Sequence, residues 1–160
     1  MKRAGFTMIE LIFVIVILGI LAAVAIPKLS ATRTDAEVSK MSSNLSTIIT
    51  DMGSYWTANG SWGTNWSDMT NVPLNSNATG TAATTLAANA TVYLASGTTA
   101  ATGCFTINAA SDGNVTVVAV AVATASDAVC VGSSALAIKN NTAATGTGKV
   151  HTFGGTGVTY

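Results

Sequence analysis

Apolar residues run almost unbroken over residues 6–26, with a single acid, Glu10, inside the run and Pro27-Lys28 closing it. Twenty-one residues at about 1.5 Å each make a helix roughly 31 Å long, which matches a bilayer core. Beyond Lys28 the pattern changes. Val38, Met41, Leu45, Ile48, Met52 and Tyr55 recur at steps of three and four, so one face of a continuing helix is apolar. Gly53 and the Asn59-Gly60 pair predict that this helix ends between about residues 53 and 58.

The second half changes period again. After an aromatic stretch holding Tyr55, Trp56, Trp62 and Trp66, residues 75–103 are an Ala/Thr/Asn/Gly tract with one short strand at Thr91-Val92-Tyr93-Leu94. Alternating or β-branched runs follow at Cys104-Phe105-Thr106-Ile107, residues 115–122, Ala128-Val129-Cys130-Val131, residues 135–138 and residues 149–153. The expected fold class is α+β: a long N-terminal helix over about residues 6–56, its first half transmembrane, packed on a C-terminal antiparallel β-sheet. The corresponding segments are 1–5, 6–27, 28–57, 58–103 and 104–160.

Composition narrows the function. Net charge is zero and charged residues make up 9% of the chain, so the basic footprint of a nucleic-acid binder is absent and nucleic acid is not directly indicated as a partner. Past Asp68 only Asp112, Asp127, Lys139 and Lys149 carry charge. Such a surface is solvated by hydroxyls and amides, and it tolerates close packing against copies of itself. Two cysteines, Cys104 and Cys130, in an exported domain point to a disulfide, with two buried free thiols as the alternative.

Glu10 demands a reason, because a carboxylate inside a membrane helix costs roughly 2.5–3.5 kcal/mol on insertion scales. Met1-Lys2-Arg3-Ala4-Gly5 before Phe6-Thr7-Met8-Ile9-Glu10 resembles the processing site of type IV pilins and type II secretion pseudopilins. The resemblance covers residues 1–40. It implies that a membrane aspartyl peptidase, the prepilin peptidase, cuts between Gly5 and Phe6 on the cytoplasmic side and methylates the Phe6 amine. It also implies that Glu10, fifth in the mature chain, pairs with the Phe6 amine of a neighbouring subunit. A buried acid is tolerable when paired, so Glu10 would set the register of assembly. The implied partners are copies of the chain, minor pilins, the peptidase, an inner-membrane assembly platform and a cytoplasmic ATPase.

Other residues take roles within that reading. Gly19 and Pro27 weaken the helix between them, and in related filaments this stretch loses its hydrogen bonding. Lys2 and Arg3 keep the N-terminus of the single-pass precursor cytoplasmic. The product is then a periplasmic pseudopilus or a cell-surface pilus. Val16-Ile17-Leu18-Gly19-Ile20-Leu21 and Pro27-Lys28-Leu29 resemble the major pseudopilin, whereas the paired cysteines fit type IV pilins better. Major pseudopilins often carry a calcium site, which needs several carboxylates; Asp112 and Asp127 are the only late acids, so no metal is expected.

Two rivals come from other classes. A minor tip pilin would use the Trp56–Trp66 loop as a binding module, although such tryptophans more often roof a small core. An ordinary secretory signal ending at Ala23-Val24-Ala25 would release a soluble protein, but Glu10 falls in its apolar core and the helical pattern continues past that site; a plain single-pass anchor explains neither Gly5 before Phe6 nor Glu10. No catalytic motif or cofactor site occurs, and an enzyme is not expected; the lone His151 has no ligand cluster near it in sequence. Asp112-Gly113-Asn114-Val115-Thr116 matches an extended bacterial N-glycosylation sequon at Asn114, or else an Asp-Gly-Asn turn joining two strands.

Overall fold

The structure is a computed structural model, described here over residues 5–75, 91–95, 103–119 and 128–154. The chain divides into two units, Met1–Asp35 and Ala36–Tyr160. Helix α1 (Met8–Asn59) supplies the described helix of the first unit and the opening element of the second. Its apolar stretch is long enough to cross a membrane, and its side chains are exposed within the first unit, from Met8 to Leu29. Pro27 lies inside the helix.

In the second unit α1 buries Met41, Leu45, Ile48, Met52, Gly53 and Trp56, with Val38 and Tyr55 half-buried beside them. The face turned to solvent is hydroxylic, and the hydroxyls of Ser46, Thr50 and Ser54 donate to the carbonyls one turn back at Ser42, Ser46 and Thr50. These bonds satisfy residues that otherwise compete with the helical backbone. The helix ends at Asn59, one residue past the predicted window, and Gly60 leaves it with a φ of 68°. Gly53 therefore does not end the helix, and Trp56 belongs to its last turn rather than to the loop.

Among the described residues four strands follow: β1 (Thr91–Ala95), β2 (Gly103–Ala109), β3 (Asn114–Ala119) and β4 (Lys149–Thr152). They pair antiparallel in sequence order. The register aligns Val92, Ile107 and Val117 in one row and Leu94, Phe105 and Ala119 in the next. All six are buried and share one core cluster with Met41, Leu45, Ile48 and Met52. The period of two in the strands thus meets the three-and-four spacing of α1, as an α+β packing requires. The tract of residues 75–103 lies largely outside the described residues, as do positions 120–122 of the run at 115–122.

Residues 128–139 depart from the sequence reading. The runs predicted as strands at 128–131 and 135–138 form one helix, α2 (Ala128–Lys139). Its buried residues are Val129, Cys130, Ser133, Ser134 and Ala137, a three-and-four pattern that two buried serines hide from a reading based on apolar residues. The helix ends in a Schellman motif. Asn141 adopts a φ of 57°, Thr142 N–H donates to the Ala137 carbonyl at 3.0 Å, and Asn141 N–H donates to Ile138 at 3.1 Å. The region after residue 104 is therefore a sheet interrupted by a helix. Cys104 and Cys130 form a disulfide with a Cα–Cα distance of 4.9 Å, and it joins β2 to α2, not strand to strand. For a separation of 26 residues, the chain-entropy account gives it about 3.5 kcal/mol.

Candidate functional site

The N-terminal segment is built around Thr7 and Glu10. Gly5, Phe6 and Thr7 precede the helix in irregular backbone, and Phe6 is 84% exposed. The Gly5–Phe6 bond is thus free of helical hydrogen bonding. Thr7 caps α1: its hydroxyl oxygen accepts from the Glu10 N–H at 3.3 Å. The Glu10 carboxylate reaches back and accepts from the Thr7 N–H at 2.8 Å and the Thr7 hydroxyl at 2.7 Å. This is a capping box, and it satisfies donors that a helix start leaves orphaned. A carboxylate in the first turn also faces the positive end of the helix dipole. The Thr-x-x-Glu spacing that encodes this cap is visible in the sequence, although Glu10 by itself draws the eye to assembly alone.

The other predicted positions stand further along the chain. Gly19 has open space where a Cβ would stand, and residues 19–27 are helical. Asn114 opens β3. Its amide donates to Asp112 at 2.6 Å and its backbone N–H to the same carboxylate at 3.1 Å. Gly113, with a φ of 84°, donates to the Ala110 carbonyl at 3.2 Å, and Ala110 N–H bonds Asn114 at 2.8 Å. The geometry is a three-residue hairpin loop with glycine in the left-handed position, the turn that the Asp-Gly-Asn string also spells.

The tryptophans close over that turn. Trp56 lies on Gly113, where any Cβ would overlap its indole. Trp62 Nε1 donates to the Ala110 carbonyl at 2.6 Å, and its ring sits 4.7 Å from that of Trp56 at a tilt of 46°. Trp66, in the short 3-10 turn Trp66–Asp68, is 2% exposed. Trp56 and Trp66 are buried and Trp62 is half-buried, so the three tryptophans roof the core, and Trp56 of α1 and Trp62 of the loop grip the β2–β3 turn. Thr70 extends the grip by donating to Asp51 of α1 at 2.9 Å.

His151, on β4, faces the Thr142 carbonyl at 2.9 Å through Nε2, which must carry the proton to bond it. It ties β4 to the end of α2. Among the described residues no three His, Cys, Asp or Glu side chains gather into a metal-holding group.

Residues 1–26 match the prokaryotic N-terminal methylation motif. No curated protein and no solved structure matches the chain. The matched span takes in the Gly5–Phe6 bond, the Thr7–Glu10 cap and nearly all of the apolar run. The protein thus carries the class III signal segment of type IV pilins and pseudopilins, joined to a pilin-like α+β domain.

Proposed function

We propose that the chain is a structural subunit of a type IV pilus or a type II secretion-like pseudopilus, polymerising through its N-terminal helix. The observation that carries this reading is the apolar stretch of α1, exposed within its unit and headed by the Thr7–Glu10 cap inside the methylation motif. Such a surface needs lipid before assembly and other apolar helices afterwards. The prepilin peptidase removes residues 1–5 and methylates Phe6. The precursor sits in the bacterial inner membrane with its N-terminus cytoplasmic, and an assembly platform with a cytoplasmic ATPase draws it into the filament. Glu10 exchanges its bonds to Thr7 for the Phe6 amine of a neighbour, which fixes the axial step. Gly19 and Pro27 allow the intervening helix to open in the fibre.

The test is the mass of the mature N-terminus from native membranes. A chain starting at Phe6 with one added methyl supports the reading. A chain starting at Ile26 means a cleaved secretory signal and overturns it. Imaging then separates long surface fibres from a short periplasmic structure.

A further inference from the structure

The cystine is set into the core of the second unit by an irregularity in the sheet. Leu94 pairs with Phe105 and Ala95 with Gly103, so Cys104 is an extra residue of β2 with no partner in β1. An extra residue makes a bulge, and a bulge re-aims a side chain. Strict alternation would turn Cys104 away from the face that Phe105 and Ile107 share. Instead Gly103, Cys104 and Phe105 are buried in succession.

Both half-cystines are closed off. Cys104 is 0% and Cys130 3% exposed, and both belong to one core cluster with Leu94, Phe105, Ile107 and Ala137. One turn along α2 from Cys130, Ser133 and Ser134 are buried as well. On the β2 side, Tyr93 lies over Gly103 so closely that a Cβ there would stand 2.8 Å from Tyr93 Cβ. Thiol–disulfide exchange requires an attacking thiolate to reach one sulfur in line with the other, and its rate depends on that access. A buried cystine packed among apolar side chains offers no such approach.

We infer that the Cys104–Cys130 bond is made on the open chain, before the second unit closes, and lies beyond the reach of thiols and disulfides afterwards. The step that makes it is exchange with an external disulfide oxidant. The oxidant's S–S bond breaks and the Cys104–Cys130 bond forms, and both electrons and both protons leave on the oxidant as two thiols. Thiol oxidation by a disulfide donor thus supplies the chain that folds. The bond then records the conditions under which the unit closed and does not respond to those that follow. This inference rests on burial within the second unit and does not depend on the filament reading.

Reduction of the full disulfide-bonded chain in detergent micelles tests it. Dithiothreitol is added in native buffer and in urea that unfolds the second unit, new thiols are alkylated and counted by mass, and glutathione disulfide in the same solutions gives the intrinsic rates. After that correction, reduction in native buffer should be slower by at least roughly a hundredfold, because it waits on opening. A smaller difference overturns the inference, since the sulfurs would then be reached in the folded unit. The order of events is tested from the other side with chain that has been reduced and unfolded. Glutathione disulfide is added either before dilution from urea or after tryptophan emission has returned to its folded value. Slow oxidation in the second case, or a dithiol chain that never refolds, supports the order. Oxidation equally fast in both cases overturns it.

Discussion

The Phe153 ring lies against the backbone of Gly53, so closely that a methyl group at Gly53 would stand 2.7 Å from Phe153 Cε1. A glycine that reads as a helix stop is a notch cut for an aromatic ring from the far end of the chain. The helix continues past it because the lost propensity, about 1 kcal/mol, is outweighed by burying Phe153 against the core.

Gly53→Ala sets two effects against each other. Alanine raises helix propensity by about 1 kcal/mol, whereas overpacking a core costs about 1–3 kcal/mol. A net loss of about 1 kcal/mol is expected, read as a lower urea midpoint. Combining it with Phe153→Leu should recover part of that loss. If the two changes simply add, the notch is not the cause.

Gly113→Ala should cost more. The position combines a left-handed backbone with the Trp56 indole directly above it. Strain and overlap together predict about 2–4 kcal/mol. Tryptophan emission should shift to the red as Trp56 is pushed from its seat. A variant as stable as the parent, with unshifted emission, would contradict this packing.

Glu10→Ala removes both the cap and the acid. The chain should still insert, since the apolar run lengthens. Filament yield should fall at least roughly tenfold, because an unpaired partner charge in an apolar core is strongly unfavourable. Thr7→Ala separates the roles: it removes the hydroxyl of the capping box but keeps the acid, so yield should fall less than with Glu10→Ala. Normal assembly of Glu10→Ala would remove the register role.

Asn114 should leave the cell unmodified. Its amide is engaged by Asp112 and its backbone pairs with Thr152 in β4, so folded chain presents no free acceptor. Intact mass of the native protein checks this, and a glycan on the peptide bearing Asn114 would reverse it. Asp112→Ala should cost about 1 kcal/mol by removing the two bonds that shape the turn.

The segments legible in sequence are those whose surroundings are uniform. Residues 6–26 are apolar almost throughout, so length and hydropathy alone mark a helix long enough to cross a membrane, without knowledge of any particular neighbour. The Thr7–Glu10 cap is equally local, three residues apart on one turn. The face of Met41, Leu45, Ile48 and Met52 and the alternation in β2 and β3 are periodic, and period alone predicts their elements.

Tertiary structure decided the rest. Residues 128–139 are short, and their valines suit a strand as well as a helix; the choice falls to helix where Gly132 meets Val38 and small residues face inward. Two cysteines can pair in only one way, yet that the bond joins strand to helix depends on α2 existing. Gly53 and the tryptophans are ambiguous for the same reason. A glycine is a stop or a notch, and an indole is a platform or a roof, according to what stands opposite. Opposite Gly53 stands Phe153, and opposite Trp56 stands Gly113, neighbours brought near by the sheet and not by the chain. Local and uniform interactions are written in one stretch of sequence, whereas those between distant segments exist only once the backbone has brought both sides together.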